Sequence, residues 1–324
     1  MDTIEIKNLS QKLQDNMKKI IKGKEDVLKK IVISLLCSGH ILLEDIPGTG
    51  KTTLAKALAK SVSCDFKRVQ FTPDLLPSDL TGVNFYHQKE EKFVFKKGSI
   101  FTNILLGDEI NRATPRTQSS LLECMEERQA TIDGVTYPMA EPFLVIATQN
   151  PIEIQGTFPL PEAQLDRFFM KLSMGYPEKD FELEMLSEFQ ENQPLDSLEP
   201  VAEKEEILKA QQEVRRVFVS EPVKRYLLNI VTATRNHEKI RLGVSPRGTI
   251  AFLRASQALA AVNGRDYVLP DDVKEIAPSV LSHRIICKGH NILKSDDSAK
   301  EYLRQILVQV EAPVDRGASF TQKG

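Results

Sequence analysis

The sequence lacks several features that would assign a function class directly. Its net charge is −2 over 324 residues, so no excess of positive charge favours nucleic acid or an anionic membrane surface. Its four cysteines are scattered without a C-x-x-C pair, and its five histidines lack the spacing of metal ligands. The sequence therefore predicts neither a disulfide framework nor a zinc site, and scattered thiols are typical of a reducing compartment.

Long apolar segments are missing as well. No apolar run approaches the ~18 residues of a membrane span, and the first residues are charged, without the apolar centre of a signal peptide. We expect a cytoplasmic protein with no membrane span. The fractions of hydrophobic residues (41%) and charged residues (27%) are ordinary for a globular protein. A single core is hard to extend over this length, so we expect two domains.

Buried strands alternate with helices along the first half of the chain. A helical rhythm of apolar residues at 27–37 precedes the apolar stretch HILLE, and three more strands are predicted at FKRVQFT, NILLGDE and FLVIATQ. This alternation predicts a mostly parallel sheet with helices on both faces, an α/β domain over residues 1–178.

Two inserted segments interrupt the alternation. VNFYHQKEEKFVF has β-rich ends around a charged centre, and ATIDGVTYPM has Asp133-Gly134 at its centre, a strong signal for a two-residue turn. Both segments predict β-hairpins. A sheet closes without them, so we interpret them as candidate contact elements, with surface decoration as the equally weighted alternative.

The pattern changes after Tyr176-Pro177, from where only helices are predicted up to about Leu307. An acidic stretch that contains prolines lies near the boundary. We therefore expect a linker or start of the second domain at 179–200, a smaller all-helical domain at 201–310 and a flexible tail at 311–324.

The stretch ILLEDIPGTGKTTLAKALAK, residues 41–60, predicts a nucleotide site between a strand and a helix. Gly48 and Gly50 would let backbone N–H groups approach phosphate oxygens, Lys51 can reach the β- and γ-phosphates, and the Thr52 hydroxyl can ligate Mg²⁺. Asp45 stands where the pattern G-x-x-x-x-G-K-[ST] begins with glycine. An inward carboxylate would repel the nucleotide, so we expect the Asp45 side chain to point away from it.

Two further strands end in candidate catalytic side chains. NILLGDE ends in Asp108 and Glu109, at the sheet edge where open α/β folds bind ligands. Asp108 can hold Mg²⁺, usually through water, and Glu109 can orient and polarise an attacking water. After FLVIAT, Asn150 is the candidate for contact with the γ-phosphate or that water, and Gln149 is the competing choice.

Two arginines complete the candidate set. Arg167 follows a short helix in LPEAQLDRFF, where an isolated arginine is usually a surface residue. Arg247 is predicted in the first turn of a helix, after Ser245 as N-cap and Pro246 at the first helical position. The helix dipole disfavours a cation there, and a nearby phosphate would offset that cost.

Together these motifs resemble the MoxR family of AAA+ ATPases from about Ile21 to about Arg284, and an acidic residue at position 45 is usual in that family. The resemblance implies Asn150 as sensor 1, Arg167 as an arginine finger for a neighbouring subunit's nucleotide, and Arg247 as sensor 2. It also implies a Walker A motif and a Walker B motif: Gly48, Thr49, Gly50, Lys51, Thr52 and Thr53, and then Asp108 and Glu109.

The same resemblance implies a P-loop AAA+ domain followed by a helical lid, with ATP and Mg²⁺ as cofactors. Family members are regarded as chaperone-like hexameric rings that assemble or mature protein complexes, often with a von Willebrand factor A-domain partner. That partner would be a separate chain here, and the client is unspecified. The two predicted hairpins match the insert in helix 2 and the hairpin before sensor 1 of this clade. The lid of the clade is displaced, which leaves open whether Arg247 acts on its own subunit's nucleotide or on a neighbour's.

Three alternatives remain at this stage. A GTP switch fits two D-x-x-G matches but has no N-K-x-D motif to read guanine. A nucleic-acid motor is disfavoured by the near-neutral charge. The motor subunit of magnesium chelatase shares part of the DEINRA and ATQNP wording and stays open.

Overall fold

The computed structural model describes residues 1–151, 156–191, 195–289 and 292–313. The chain begins with helices and continues as an α/β unit. The helices of this part are α1 (Thr3–Lys18), α2 (Glu25–Leu36), α3 (Lys51–Ser61), α4 (Pro77–Thr81), α5 (Pro115–Glu127) and α6 (Glu162–Leu165). Its strands are β1 (Ile41–Glu44), β2 (Phe66–Gln70), β3 (Gly82–His87), β4 (Lys92–Lys97), β5 (Ile104–Asp108), β6 (Gln129–Ile132), β7 (Val135–Pro138), β8 (Leu144–Gln149) and β9 (Met170–Leu172).

Five of these strands form one parallel sheet in the order β2-β5-β8-β1-β9. The central strands are apolar on both faces because both faces are covered. Ile41 and Leu43 of β1 join one hydrophobic cluster, whereas Leu42 joins the cluster on the opposite face. The predicted α/β fold is confirmed, and the parallel order brings the carboxyl ends of β1, β5 and β8 together.

Both predicted hairpins are present, as the antiparallel pairs β3–β4 and β6–β7. Asp133 and Gly134 both have positive φ angles (49° and 81°), as a tight two-residue turn requires. The hairpins also contact each other. The Phe95 and Tyr137 rings stack at 4.3 Å, and Asn84 Nδ2 donates a hydrogen bond of 2.7 Å to Asp133 Oδ2.

The second half of the chain contains α7 (Lys179–Glu191), α8 (Lys204–Val214), α9 (Glu221–Asn236), β10 (Ile240–Leu242), α10 (Pro246–Val262), α11 (Pro270–Leu281), β11 (Ile286–Cys287) and α12 (Ile292–Gln309). The expectation of helices alone after residue 177 is wrong in one detail, because β10 and β11 form a small antiparallel sheet. Pairing satisfies backbone groups of these two short connections between helices. No described helix has the length and apolar character needed to cross a membrane.

One of the two hydrophobic clusters extends over both halves of the chain. The larger cluster includes Leu43 of β1, Leu28 of α2 and Phe252 of α10. It is continuous because α1 and α2 pack between the sheet helix α3 and the later helices α8 and α10. The predicted domain boundaries stay predictions, and residues 314–324 of the predicted tail lie outside the described residues.

Candidate active site

A cavity of about 420 Å³ lies at the carboxyl edge of the sheet. Its lining combines the loop between β1 and α3 with the ends of β2, β5 and β8. The lining residues are Pro47, Gly48, Gly50, Lys51, Thr52, Thr53, Arg68, Gln70, Asp108, Glu109, Thr148 and Asn150. Of the residues predicted to bind nucleotide or Mg²⁺, Thr49 and Arg247 are not part of this lining.

The loop before α3 has the backbone of a phosphate cradle. Gly48 and Gly50 have φ angles of 84° and 86°, a region that favours glycine. A Cβ at either position would meet no atom within 4 Å and would project into open space. Lys51 Nζ donates to the carbonyl oxygens of Asp45 (2.8 Å) and Ile46 (3.1 Å), which holds the ammonium beside the loop.

The Asp45 carboxylate points away from the cavity, as predicted. It is buried and accepts hydrogen bonds from Ser173 Oγ (2.8 Å), Met174 N (2.6 Å) and Gly175 N (2.9 Å). These donors belong to the segment that follows β9. Asp45 therefore anchors the start of the loop to the edge of the sheet and brings no negative charge to the cradle.

Asp108, at the end of β5, has two partners that the sequence did not single out. Oδ1 accepts a hydrogen bond of 2.6 Å from Thr148 Oγ1, and Oδ2 accepts one of 2.6 Å from the guanidinium of Arg68. Arg68 and Gln70 alternate along β2, which pairs with β5 so that Gln70 lies opposite Asp108. This period-2 alternation of polar residues is the sequence signal that could have placed Arg68 and Gln70 in the site.

Glu109 adopts a left-handed conformation, with φ of 56°. Its carboxylate accepts a hydrogen bond from Gln70 Nε2 (2.7 Å) and pairs with Arg112 Nε at 3.1 Å. Its backbone N–H donates to Thr148 Oγ1 at 2.9 Å. The Thr148 hydroxyl therefore contacts the backbone of Glu109 and the side chain of Asp108, and it fixes the two acidic residues relative to each other.

Of the two amides at the end of β8, Asn150 lines the cavity and Gln149 does not. Asn150 is buried, with 6% of its surface exposed. The geometry thus favours Asn150 over Gln149 as the residue that faces a bound molecule.

Arg167 and Arg247 lie outside this cavity but close to each other. The carboxylate of Glu126, near the end of α5, pairs with both of them: Oε2 lies 3.2 Å from Arg167 Nε, and Oε1 contacts Arg247 Nη2. About a third or more of each of these three side chains is exposed. Glu126 supplies the negative charge that offsets a cation in the first turn of α10. No sequence motif pointed to Glu126.

Comparisons with known proteins agree with this geometry. The family model described as "ATPase family associated with various cellular activities (AAA)" matches residues 40–170, and an AAA lid domain model matches residues 232–305. The chain is 49% identical to "Uncharacterized protein YeaC" of Bacillus subtilis over 95% of this chain and 96% of the relative. It is 39% identical to "Chaperone MoxR1" of Mycobacterium tuberculosis, over 92% of this chain and 80% of the relative.

A solved structure supports the same assignment. The crystal structure of a "putative ATPase" from Cytophaga hutchinsonii superposes with a TM-score of 0.88 at 39% identity, over 96% of this chain and 97% of that one. The sheet, the helical lid and the relatives therefore agree, and the resemblance of the motifs is confirmed. The chain belongs to the MoxR family of AAA+ ATPases.

Proposed function

We propose that the chain hydrolyses ATP as a homohexameric ring and acts as a chaperone-like factor that remodels or assembles protein complexes. The observation that carries this proposal is the separation of two groups of residues. The cavity is lined by groups suited to bind a nucleotide, whereas Arg167 and Arg247 lie outside it, both paired with the carboxylate of Glu126. Such a site is completed by a second subunit in a head-to-tail contact, which supports a closed ring.

The phosphate cradle fits the phosphates of ATP. The open space at Gly48 and Gly50 leaves room for close approach of an anion to the backbone. Lys51 exchanges its two carbonyl partners for phosphate oxygens in this proposal, and the N-terminus of α3 adds partial positive charge. Thr53 lines the same cavity, and Thr49 completes the motif.

Mg²⁺ fits the oxygen donors of Thr52 and Asp108, because both line the cavity and hydroxyl and carboxylate oxygens suit this ion. When bound, the ion neutralises charge on the phosphate oxygens. Thr148 and Arg68 fix the Asp108 carboxylate, so it is held ready for a contact through water.

Glu109 and Asn150 act on the attacking water in this proposal. Glu109 orients and polarises the water, held in place by Gln70 and Arg112. Asn150 contacts the water or the γ-phosphate. Arg167 serves as an arginine finger for the next subunit, and Arg247 contributes beside it. Their exposure and their shared carboxylate support this arrangement.

The relative named "Chaperone MoxR1" supports a chaperone-like role. We infer a separate von Willebrand factor A-domain protein as partner, together with a protein client. The cytoplasm is the proposed compartment, because Cys37, Cys64, Cys124 and Cys287, all in the described part of the chain, form no disulfide. Burial raises the pKa of the Cys37 and Cys124 thiols to about 12, which keeps them protonated and unreactive.

The test measures specific ATPase activity against protein concentration, with the mass of the oligomer determined on the same samples. We expect activity per subunit to rise as rings form. We expect Arg167→Ala to lower turnover by ~10³-fold or more, with ATP affinity unchanged. Arg216→Ala is the matched control, because it also removes a surface arginine from a single ion pair and should change neither quantity.

A monomer that hydrolyses ATP at an undiminished rate, or normal turnover by Arg167→Ala, overturns the shared site.

The partner is tested separately with Glu109→Gln. This variant should retain ATP without turnover and can therefore be used to capture the partner. Failure to capture a von Willebrand factor A-domain protein from the native host contradicts that part of the proposal.

A further inference from the structure

Arg284 is a charged residue buried at the point where the lid meets the segment that carries Arg167. It ends the 3-10 turn after α11, and 2% of its side chain is exposed. A buried ion pair is a poor way to gain stability, since apolar residues of similar volume often serve as well. Stability alone therefore does not explain why a charged arginine is buried at position 284.

The guanidinium of Arg284 has five N–H donors, and five carboxylate or carbonyl contacts surround it, with His283 Nε2 also 2.8 Å from Nη1. Nε donates to Asp166 Oδ1 at 2.8 Å, and Nη2 donates to the carbonyl oxygens of Asp166 (3.1 Å) and Phe168. Nη1 donates to the carbonyl oxygens of Phe169 (3.3 Å) and Val280. Asp166 and Phe168 flank Arg167 in the chain and Phe169 follows them, so Arg284 fixes the backbone on both sides of Arg167.

The same cluster reaches the first turn of α10. The second oxygen of Asp166 accepts a hydrogen bond of 2.8 Å from Ser245 Oγ, which in turn caps α10 by accepting from Gly248 N at 3.0 Å. Gly248 packs directly on Arg284, since a Cβ there would lie 2.7 Å from Arg284 Cδ. The segment with Arg167 and the helix turn with Arg247 are thus joined through one side chain.

The charges of the cluster are compatible with this contact. Burial lowers the pKa of Arg284 to about 10, so the guanidinium stays charged at pH 7 opposite Asp166. Burial and the charge of Arg284 lower the pKa of His283 well below its ordinary value. His283 is therefore neutral and adds no positive charge beside Arg284.

We propose that Arg284 is a positioning residue that holds Arg167 in place to reach the nucleotide of a neighbouring subunit. Arg284 donates hydrogen bonds to the backbone around Arg167 and packs against the helix α10 that carries Arg247. The inference rests on the proposed action of Arg167 across a subunit boundary. It adds that the lid controls the arginine finger through a residue that touches neither nucleotide nor reacting atoms.

The experiment mixes full-length subunits. Arg284→Lys keeps the charge but loses the planar fork, so we expect turnover to fall on the order of 10²-fold, as for a catalytic group displaced by about 1 Å. Its ATP affinity should stay within about twofold of wild type, because its own cavity is unchanged. Mixing it 1:1 with Glu109→Gln subunits, which offer an intact Arg167, should restore about a quarter of the wild-type rate if the subunits assemble at random.

Arg167→Ala mixed with Glu109→Gln is the reference. If this reference mixture stays inactive, the proposed sharing of the site fails. If it recovers but the Arg284→Lys mixture does not, the loss lies in the variant's own cavity or fold, and the positioning role is overturned. Unchanged turnover of Arg284→Lys alone also overturns it. If Arg284→Lys does not fold, Asp166→Asn, which keeps the shape and an acceptor oxygen, decides by the same comparison.

Discussion

Asp45 shows how a residue that breaks a motif can support it. The carboxylate accepts three hydrogen bonds from the segment after β9. Two of the donors are backbone N–H groups, and a carboxylate can satisfy several such donors at once. The position therefore gains an anchor where the general pattern has a glycine.

Asp45→Ala should lower the free energy of unfolding by about 3 kcal/mol, because buried donors lose their acceptor. Ser173→Ala removes a single neutral donor and should cost about 1 kcal/mol. Urea unfolding of both variants without nucleotide checks the difference. Equal losses in the two variants would mean that the Asp45 carboxylate is not the anchor.

For single residues, the sequence predicted which side chains line the cavity but not the tertiary contacts that position the site residues. Gly48, Lys51 and Asp108 follow from local motifs, and the structure brings them to one cavity. Glu126 was not predicted, since its two arginine partners lie far along the chain and meet it only through the packing of α5, α6 and α10. Contacts of this kind depend on tertiary geometry that residue spacing does not encode.

Among the elements, His40 joins three that are distant in sequence. It precedes β1, its Nδ1 accepts from the backbone N–H of Val145 in β8 (2.9 Å), and its Nε2 donates to the carbonyl of Met125 in α5 (2.9 Å). Burial, with a smaller effect from the charge of Arg128, lowers the pKa of His40 to about 3. The neutral ring is thus part of the packing of the sheet.

This shift makes stability depend on pH in a defined window. Below pH 6.5, the ordinary histidine pKa, His40 binds a proton in the unfolded chain but stays neutral in the folded protein. The contribution of neutral His40 to the free energy of unfolding is therefore complete only above pH 6.5. It is lost by about 1.4 kcal/mol per pH unit as the pH falls towards about 3. Urea unfolding at pH 7, 6 and 5 should show the advantage of wild type over His40→Gln shrinking, about half as steeply from pH 7 to 6 as at the full rate and close to that rate from pH 6 to 5. A constant difference would contradict it.

Elements with a local signal were predicted well. The parallel strands β1, β5 and β8 are apolar runs, and the β6–β7 hairpin is marked by its Asp133-Gly134 turn, whereas the short β9 was not predicted. The β10–β11 pair was missed because its strands are three and two residues long and their partners are far apart in sequence. Such short strands carry no periodicity to read.

For the whole molecule, the sequence did not predict that the larger hydrophobic cluster would run through both halves of the chain. α1 and α2 lie between the sheet and the lid, and their apolar side chains belong to the same cluster as those of α8 and α10. The two predicted domains therefore share the larger hydrophobic cluster. Chain length alone could not reveal this, because it depends on where the first two helices pack.

We expect the two halves to unfold together. The chain contains no tryptophan, so Phe66→Trp in β2 and Tyr302→Trp in α12 would report on the sheet and on the lid separately. Both positions are partly buried against the larger cluster. Their fluorescence should give the same urea midpoint, and Phe93→Trp, 72% exposed on β4, is the control with little change in emission. Two separate midpoints would show that the halves are independent.

The shared interior also limits where the molecule can bend. A hinge needs a seam with few packed contacts, and here two helices fill the place that such a seam would occupy. Swinging the lid against the sheet would expose apolar surface at about 25 cal/mol per Å². In the proposed ring, each subunit would then move as a rigid body, and the conformational changes of a nucleotide cycle would occur at the interfaces between subunits.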